Sequence, residues 1–195
     1  MQRSPLFRFL SISITFLFSL QVLTIGLSLI QVRITPGLAR GILAASLAAS
    51  LVPFFLAYQG LPDFKAWSLR FRRWQVPFLA FLGVAALTYL VLWACASIMP
   101  DLSWDGNAYH IPTLSMWDAR GYIHWINTTY LEGIINGYPK GAELVSYLLV
   151  KAFGNSIINT VNLAFLPLGV LGIALIARSL GARRLLSLCS GAAFL

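Results

Sequence analysis

The chain has 195 residues, of which 58% are hydrophobic and only 10% are charged. Soluble domains carry about 25% charged residues, so this composition excludes an ordinary soluble domain. The formal net charge of +8 does not indicate a nucleic-acid partner, because the basic residues cluster at the ends of apolar segments. The sequence therefore predicts an all-α integral membrane protein.

Four segments are long enough to be spanning helices, which need about 20 apolar residues. They are residues 7–30, 38–58, 76–98 and 157–177. The first is too long for the apolar core of a signal peptide and has no cleavage site after it, so we expect an uncleaved helix. A fifth apolar run, 185–195, is only about half the spanning length. We expect it to be the truncated start of a further helix, and the chain to be the N-terminal portion of a larger protein.

Basic residues predict the orientation in the membrane, because short loops rich in Lys and Arg stay cytoplasmic. The links 59–75 and 178–184 are basic, whereas 99–156 contains five of the six acidic residues. We therefore expect a cytoplasmic N-terminus and an extracytoplasmic segment 99–156. Arg33 and Arg40 fall on the outer side, where long side chains reach the membrane interface. The basic cluster of the first link is Lys65, Arg70, Arg72 and Arg73, and that of the second is Arg178, Arg183 and Arg184.

The extracytoplasmic segment is predicted to contain two helices that lie near the membrane surface. The first begins with Ser103 as a helix cap and ends before Gly121. On a regular helix Asp105 and Tyr109 share a face, and His110 lies about 140° from Asp105. The second, 143–153, is too short to span and is amphipathic. Its apolar face comprises Leu144, Val145, Leu148, Leu149 and Ala152, and its polar face comprises Glu143, Tyr147 and Lys151.

The fourth predicted span contains polar residues near its outer end and a proline in its middle. Asn159 and Asn162 are expected to face the interior of the helix bundle. Pro167 is expected to kink the helix. A packing role is sufficient for all three residues.

These elements predict three parts of the chain. Residues 1–75 form two transmembrane helices and a basic cytoplasmic loop. Residues 76–184 form a unit of one helix, the extracytoplasmic loop 99–156 and a second helix. Residues 185–195 begin a further helix.

Several short motifs carry a resemblance to a known superfamily. Asp105 precedes Tyr109 by four residues and is followed by "HIPTLSMWDARG", "NGYPKGAEL", "LLVKAFG" and "ARSLGARR". This series resembles the first extracytoplasmic loop of the GT-C glycosyltransferases, above all the group that contains the protein O-mannosyltransferases and bacterial aminoarabinose transferases. The resemblance covers about residues 100–184. The two N-terminal helices are not part of the usual family pattern.

The resemblance implies a glycosyltransferase that uses a polyprenyl-phosphate-linked sugar as donor, outside the cytoplasm, with an acceptor that the sequence does not identify. Asp105 matches the family's loop acid and is the predicted catalytic residue, because a carboxylate can orient an acceptor hydroxyl or accept its proton. In many members a second acid follows directly, where this chain has Gly106. The predicted substrate-binding residues are Tyr109, His110, Lys140 and Glu143.

Other interpretations of these residues stay open. His110 and His124 would suit a divalent metal together with Asp105 or Glu143, but their spacing matches no compact ligand signature, so no metal ligand is predicted and a divalent metal cofactor is left open. Lys140 fits either a lipid phosphate or an ordinary interfacial lysine. The loop's tryptophans and tyrosines suit an aromatic belt at the headgroups better than a sugar platform.

Two classes of function are compatible with the sequence. The first is the membrane glycosyltransferase. The second is a non-catalytic membrane protein, either an inactive truncated relative or a component for lipid binding or transport. Transporters place polar residues inside broken spanning helices. Here the acids lie in a loop between helices, which favours the enzyme.

Overall fold

The computed structural model describes residues 5–57, 75–99, 101, 103, 105–129, 132–137 and 140–193. Over these ranges the chain is helical and contains no strand, which confirms the all-α class. Most of the basic link 59–75, and Tyr138 and Pro139 of the Tyr-Pro element, lie outside the described residues. The α-helices are α1 (Pro5–Leu29), α2 (Pro36–Ala57), α3 (Val76–Ile98), α4 (Ile111–Arg120), α5 (Glu132–Gly137), α6 (Gly141–Phe153), α7 (Leu166–Ser179) and α8 (Arg184–Ala192).

Two helices of the described chain are long and apolar enough to cross a membrane. They are Arg8–Leu29 within α1, with a mean hydropathy of 1.9, and Val76–Ile98, which is α3, with a mean hydropathy of 2.2. The apolar parts of α2 and α7, Pro36–Val52 and Leu166–Ser179, are shorter. Ala85 is the one residue of α3 that is buried, so this helix presents an apolar surface on nearly all sides.

The predicted continuous helix over 157–177 is wrong in its first part. Two short 3-10 segments, Asn155–Ile157 and Asn162–Phe165, precede α7, which begins only at Leu166. Pro167 therefore stands in the first turn, where its missing N–H removes no intrahelical hydrogen bond, so it starts the helix instead of kinking it. The 14 residues of α7 extend about 21 Å, short of the roughly 30 Å of a bilayer core.

Small side chains bring α1 and α2 together. The two helices are in contact, and their buried residues include Thr24 and Ser28 of α1 and Ala39, Ser46 and Ser50 of α2. Small residues allow helix backbones to approach closely, and they are typical of helix pairs within membranes. The pair is joined by a short turn in which Val32 donates its N–H to the carbonyl of Leu27, at 3.0 Å.

The turn between α1 and α2 is bound to the loop that follows α4. The N–H of Ile34 donates to the carbonyl of Gly121 at 2.6 Å, and the N–H of Ile123 donates to Ser28 Oγ at 3.1 Å. Gly121 has a φ of 87°, which confirms the predicted helix end at this glycine. A Cβ here would also collide with the side chain of Arg33. The N-terminal helices and the segment between α3 and α7 therefore share one hydrophobic core, to which Leu20, Ile34, Trp117, Tyr147 and Leu148 all belong.

Helix α6 lies between α1, α2 and α4, so it is covered on more than one side. Residues 143–148 are all buried. The predicted polar face does not point to water, because Glu143 contacts His110 and Tyr147 packs edge-on against Trp117 of α4. Lys151, at the end of the same face, forms an ion pair with Asp118 of α4. The polar face is thus the contact surface for α4 and the turn before it.

Both ends of α6 are also held by the first two helices. Gln21 donates to the carbonyl of Gly141 at 3.3 Å, and Arg40 Nε donates to the carbonyl of Ala152 at 3.0 Å. A cation is favourable at the carboxyl end of a helix, where carbonyl groups lack intrahelical partners. Arg40 does not fit the rule that basic residues mark the cytoplasmic side. The structure gives it a different role, in which it binds the carboxyl end of α6.

Candidate functional site

Four residues form a small hydrogen-bonded structure between α3 and α4. The N–H of Gly106 donates to Ser103 Oγ at 2.9 Å, which confirms the predicted capping role of Ser103. The N–H of Ser103 in turn donates to Asp101 Oδ1 at 2.8 Å. Asn107 Nδ2 donates to the carbonyl of Asp101 at 2.8 Å. These bonds fix the position of the Asp101 carboxylate beside the start of the following helical turn.

Residues Gly106–His110 form a π-helical turn that leads into α4. The wider i to i+5 hydrogen bonding of a π-helix changes the angle between successive side chains. Tyr109 is buried with 2% exposure, whereas Asp105, at the start of this turn, is exposed. The shared helix face of the two residues stays a prediction. The same turn brings His110 towards α6. Single π-helical turns occur often at functional sites.

Gly106 lies directly against the carboxylate of Asp101. A Cβ on Gly106 would overlap Asp101 Oδ2, so any larger residue would force the carboxylate to move. Gly106 is the position at which the resemblance described above would place a second acid. In this chain the space of that side chain is occupied by Asp101.

His110, Glu143 and Lys140 form a polar cluster between the π-helical turn and α6. His110 Nδ1 lies 2.8 Å from Glu143 Oε1, and Lys140 Nζ lies 3.7 Å from the same oxygen. Lys140 also donates to Thr113 Oγ1 at 3.4 Å. Burial lowers the pKa of Lys140, while the charge of Glu143 acts in the opposite direction. Glu143 is 3% exposed, so it is a buried carboxylate with two nitrogen partners.

The predicted substrate-binding residues are therefore brought together by the fold. Tyr109 completes the group, because its ring lies 4.3 Å from the ring of His110, centroid to centroid. Because Tyr109 is buried, it contacts His110 inside the protein. Asp105, the predicted catalytic acid, is exposed at the start of the same turn.

A cavity of about 370 Å³ lies between the end of α3, the start of α4, α6 and residues 158–163. Its polar lining residues are Asp101, His110, Glu143, Ser146 and Asn159. Asn159 also donates to the carbonyl of Met99 at 2.7 Å and so joins the cavity wall to the end of α3. The apolar wall includes Leu92, Cys95, Ala96 and Met99 of the α3 end, Ile111, Leu114 and Leu163.

The described residues that line this cavity include Asp101 but not Asp105. Sequence reasoning missed Asp101, which precedes Asp105 by four residues and lies at the same exit from the apolar segment. The only signal was that shared position, since the motif itself, an acid four residues before Tyr109, fits Asp105 and not Asp101. The assignment of catalysis to Asp105 stays a prediction.

Behind the cavity, α4 and α6 bury a phenol without a hydrogen-bond partner. The hydroxyl of Tyr147 has no partner among the described residues, and the side chain is 2% exposed. Burial, assisted by the negative charge of Asp118, raises the pKa of Tyr147 to about 12. The phenol therefore stays neutral and acts as a packing group.

Within the described part of the chain, no group of three His, Cys, Asp or Glu side chains is arranged to hold a metal ion. Comparison with protein-family models, curated proteins and solved structures gives no match. The site is therefore characterised by its own geometry. It combines a buried carboxylate that holds an imidazole, a second carboxylate in a capped turn, and an apolar wall formed by a long exposed helix. Such a cavity suits a substrate with one polar and one apolar part.

Proposed function

We propose that this chain is an integral membrane protein with a cytoplasmic N-terminus and with residues 99–156 on the extracytoplasmic side. The exposed apolar surface of α3 supports this proposal, because contiguous exposed apolar surface in a soluble protein is unfavourable. The small-residue contact between α1 and α2 also supports it. The four spans that the sequence predicts belong to this proposal, with α2 and α7 as the shorter members.

The orientation predicts which cysteines an impermeant thiol reagent reaches in intact cells. In a background with Cys95 and Cys189 replaced by alanine, a cysteine at Asn127, exposed in the loop after α4, should react. A cysteine at Ser179, exposed at the end of α7, should react only after permeabilisation. The reverse pattern would contradict the orientation, and equal labelling of both in intact cells would contradict the separation of these sites by a membrane.

The cavity supports a more specific proposal, a membrane glycosyltransferase of the GT-C type. Its donor is a polyprenyl-phosphate-linked sugar and the reaction takes place on the extracytoplasmic side. The observation that carries this proposal is the mixed lining of the cavity, to which α3 contributes only apolar side chains while the other elements contribute polar groups, among them Asp101, His110, Glu143 and Asn159. An isoprenoid lipid matches the apolar side chains, and the sugar with its phosphate matches the polar groups.

The chemistry of such a transfer requires few groups from the protein. The acceptor oxygen forms a bond to the anomeric carbon, and the bond from that carbon to the phosphate oxygen breaks with its electron pair on the phosphate. A carboxylate or imidazole near the acceptor orients its hydroxyl and removes the proton. Lys140, beside the cavity cluster, supplies a positive charge for the departing phosphate.

The test is a transfer assay with the full-length gene product, purified in detergent and given polyprenyl-phosphate sugars with a panel of lipid, glycan and peptide acceptors. We expect release of polyprenyl phosphate and labelled product with one donor and acceptor pair. Binding of the donor without release, measured with the same radiolabelled lipid, would instead support the non-catalytic lipid-binding protein. If the protein neither binds the donor nor releases polyprenyl phosphate, the glycosyltransferase proposal is overturned.

A further inference from the structure

We propose that His110 is the residue that takes the proton of the acceptor hydroxyl, and that Glu143 is the positioning residue that holds its imidazole for this task. This inference rests on the proposed glycosyl transfer and assigns a step within it. It differs from the sequence prediction, in which Asp105 was the catalytic residue and His110 only bound substrate.

The hydrogen bond between His110 and Glu143 determines which ring nitrogen can act as a base. Nδ1 is 2.8 Å from Glu143 Oε1, and the Glu143 side chain is only 4% exposed. A carboxylate accepts hydrogen bonds, so it selects the neutral tautomer with the proton on Nδ1. The lone pair is then on Nε2, which has no hydrogen-bond partner among the described residues. The His110 side chain is 36% exposed and lines the cavity, so a substrate can reach it.

The charges around His110 favour this arrangement. Glu143 faces it from α6, and Lys140, directly before α6, places its Nζ 3.7 Å from Glu143 Oε1. Asp101 faces the same cavity from the turn before α4, and the ring of Tyr109 lies against the imidazole. When His110 takes a proton, it becomes an imidazolium ion paired with a buried carboxylate. Glu143 therefore both orients the neutral ring and stabilises its charged form.

The other two carboxylates are less suited to removing the proton. Asp101 already accepts the N–H of Ser103 and lies against Gly106, so its position is fixed and one oxygen is occupied. Asp105 is exposed, and the described lining of the cavity does not include it. Asp105 stands at the aqueous start of the same turn, where it can orient an acceptor that arrives from water.

The step is balanced without a further reactant. The acceptor O–H bond breaks and its proton moves to His110 Nε2, while the acceptor oxygen bonds to the anomeric carbon. The bond between that carbon and the phosphate oxygen breaks, and its electron pair leaves with the polyprenyl phosphate. The proton then passes from His110 to water or to the released phosphate.

The first experiment reads the tautomer directly and does not depend on activity. The chain contains two histidines, so spectra of the ¹⁵N-histidine-labelled protein in detergent contain two sets of ring signals, and His124→Gln identifies those of His124. We expect neutral His110 to show a protonated Nδ1 and an unprotonated Nε2, and Glu143→Gln to change this pattern. A protonated Nε2 in the neutral parent protein would overturn the proposal.

The second experiment measures turnover against pH once the transfer assay has identified a substrate pair. His110→Gln should lower turnover by about 10²- to 10⁴-fold. In the parent protein, activity should fall at acid pH because a protonated base cannot take the proton of the acceptor; this acid limb of the pH profile should be absent in His110→Gln. Glu143→Gln should lower turnover and move that acid limb. His124→Gln is the matched control, because the His124 ring contacts the carbonyl of Tyr122 outside the cavity lining, and it should leave both properties unchanged. If His110→Gln is active and keeps the acid limb, the role of His110 is overturned but glycosyl transfer stands. If the parent protein has no transfer activity, both proposals are overturned.

Discussion

Asp105→Asn is expected to lower turnover by about 10²-fold in the transfer assay, because it removes the charge that would orient the acceptor hydroxyl at the entrance to the cavity. Misplacement of a reacting group by about 1 Å costs a factor of this size. The substitution keeps the shape of the side chain and leaves the capping bond from Gly106 to Ser103 in place. The effect should therefore be on catalysis, with little change in stability.

Asp118→Asn is the matched control for Asp105→Asn. Asp118 is an exposed acid on the same loop, and its partner is Lys151, so its loss should cost about 1 kcal/mol of stability or less and leave turnover unchanged. The pH profile of Asp105→Asn should keep the acid limb, in contrast to His110→Gln. Turnover of Asp105→Asn equal to that of the parent protein would remove Asp105 from the reaction and leave Asp101 as the carboxylate to test.

Trp117→Ala is expected to lower the free energy of unfolding by about 3 to 5 kcal/mol, the range for truncation of a buried aromatic residue. Trp117 is 2% exposed and packs edge-on against Tyr147, with ring centroids 6.0 Å apart. Its indole N–H donates to the carbonyl of His124 at 3.0 Å, so the variant also leaves that partly buried carbonyl without this partner. Denaturation in detergent, followed by tryptophan fluorescence or circular dichroism, measures the change.

Trp125→Ala is the control for this second prediction. Trp125 lies in the loop after α4 but is 64% exposed, and its indole N–H donates to Glu132 at 3.1 Å. We expect a loss of about 1 kcal/mol or less, since little buried surface is removed. Equal losses for the two tryptophans would mean that the contact between α4 and α6 is not the centre of the loop's packing.

Local sequence rules predicted much of this fold because the features concerned depend on neighbouring residues. The cap at Ser103 and the helix end at Gly121 follow from hydrogen bonding and backbone conformation within a few residues. The amphipathic character of α6 also follows from its own spacing. The sequence did not show what the polar face of α6 contacts, because Glu143 and Lys151 find their partners 33 residues away.

The sequence identified His110 and Glu143 of the candidate site but missed Asp101 and did not give the geometry. His110 and Glu143 were each identified, yet their direct contact depends on the π-helical turn, and a regular helix had been assumed. A single extra residue in one helical turn alters every later angle, and no short motif in the sequence indicates it.

The contact between Gly106 and Asp101 means that the position after Asp105 and the side chain of Asp101 compete for one volume. A side chain at position 106 would have to move the carboxylate of Asp101 out of that volume. The carboxylate at the edge of the cavity is therefore attached to the backbone five residues before the position at which the resemblance to GT-C glycosyltransferases would place a second acid. A larger residue at position 106 is expected to be accommodated best together with a small residue at position 101.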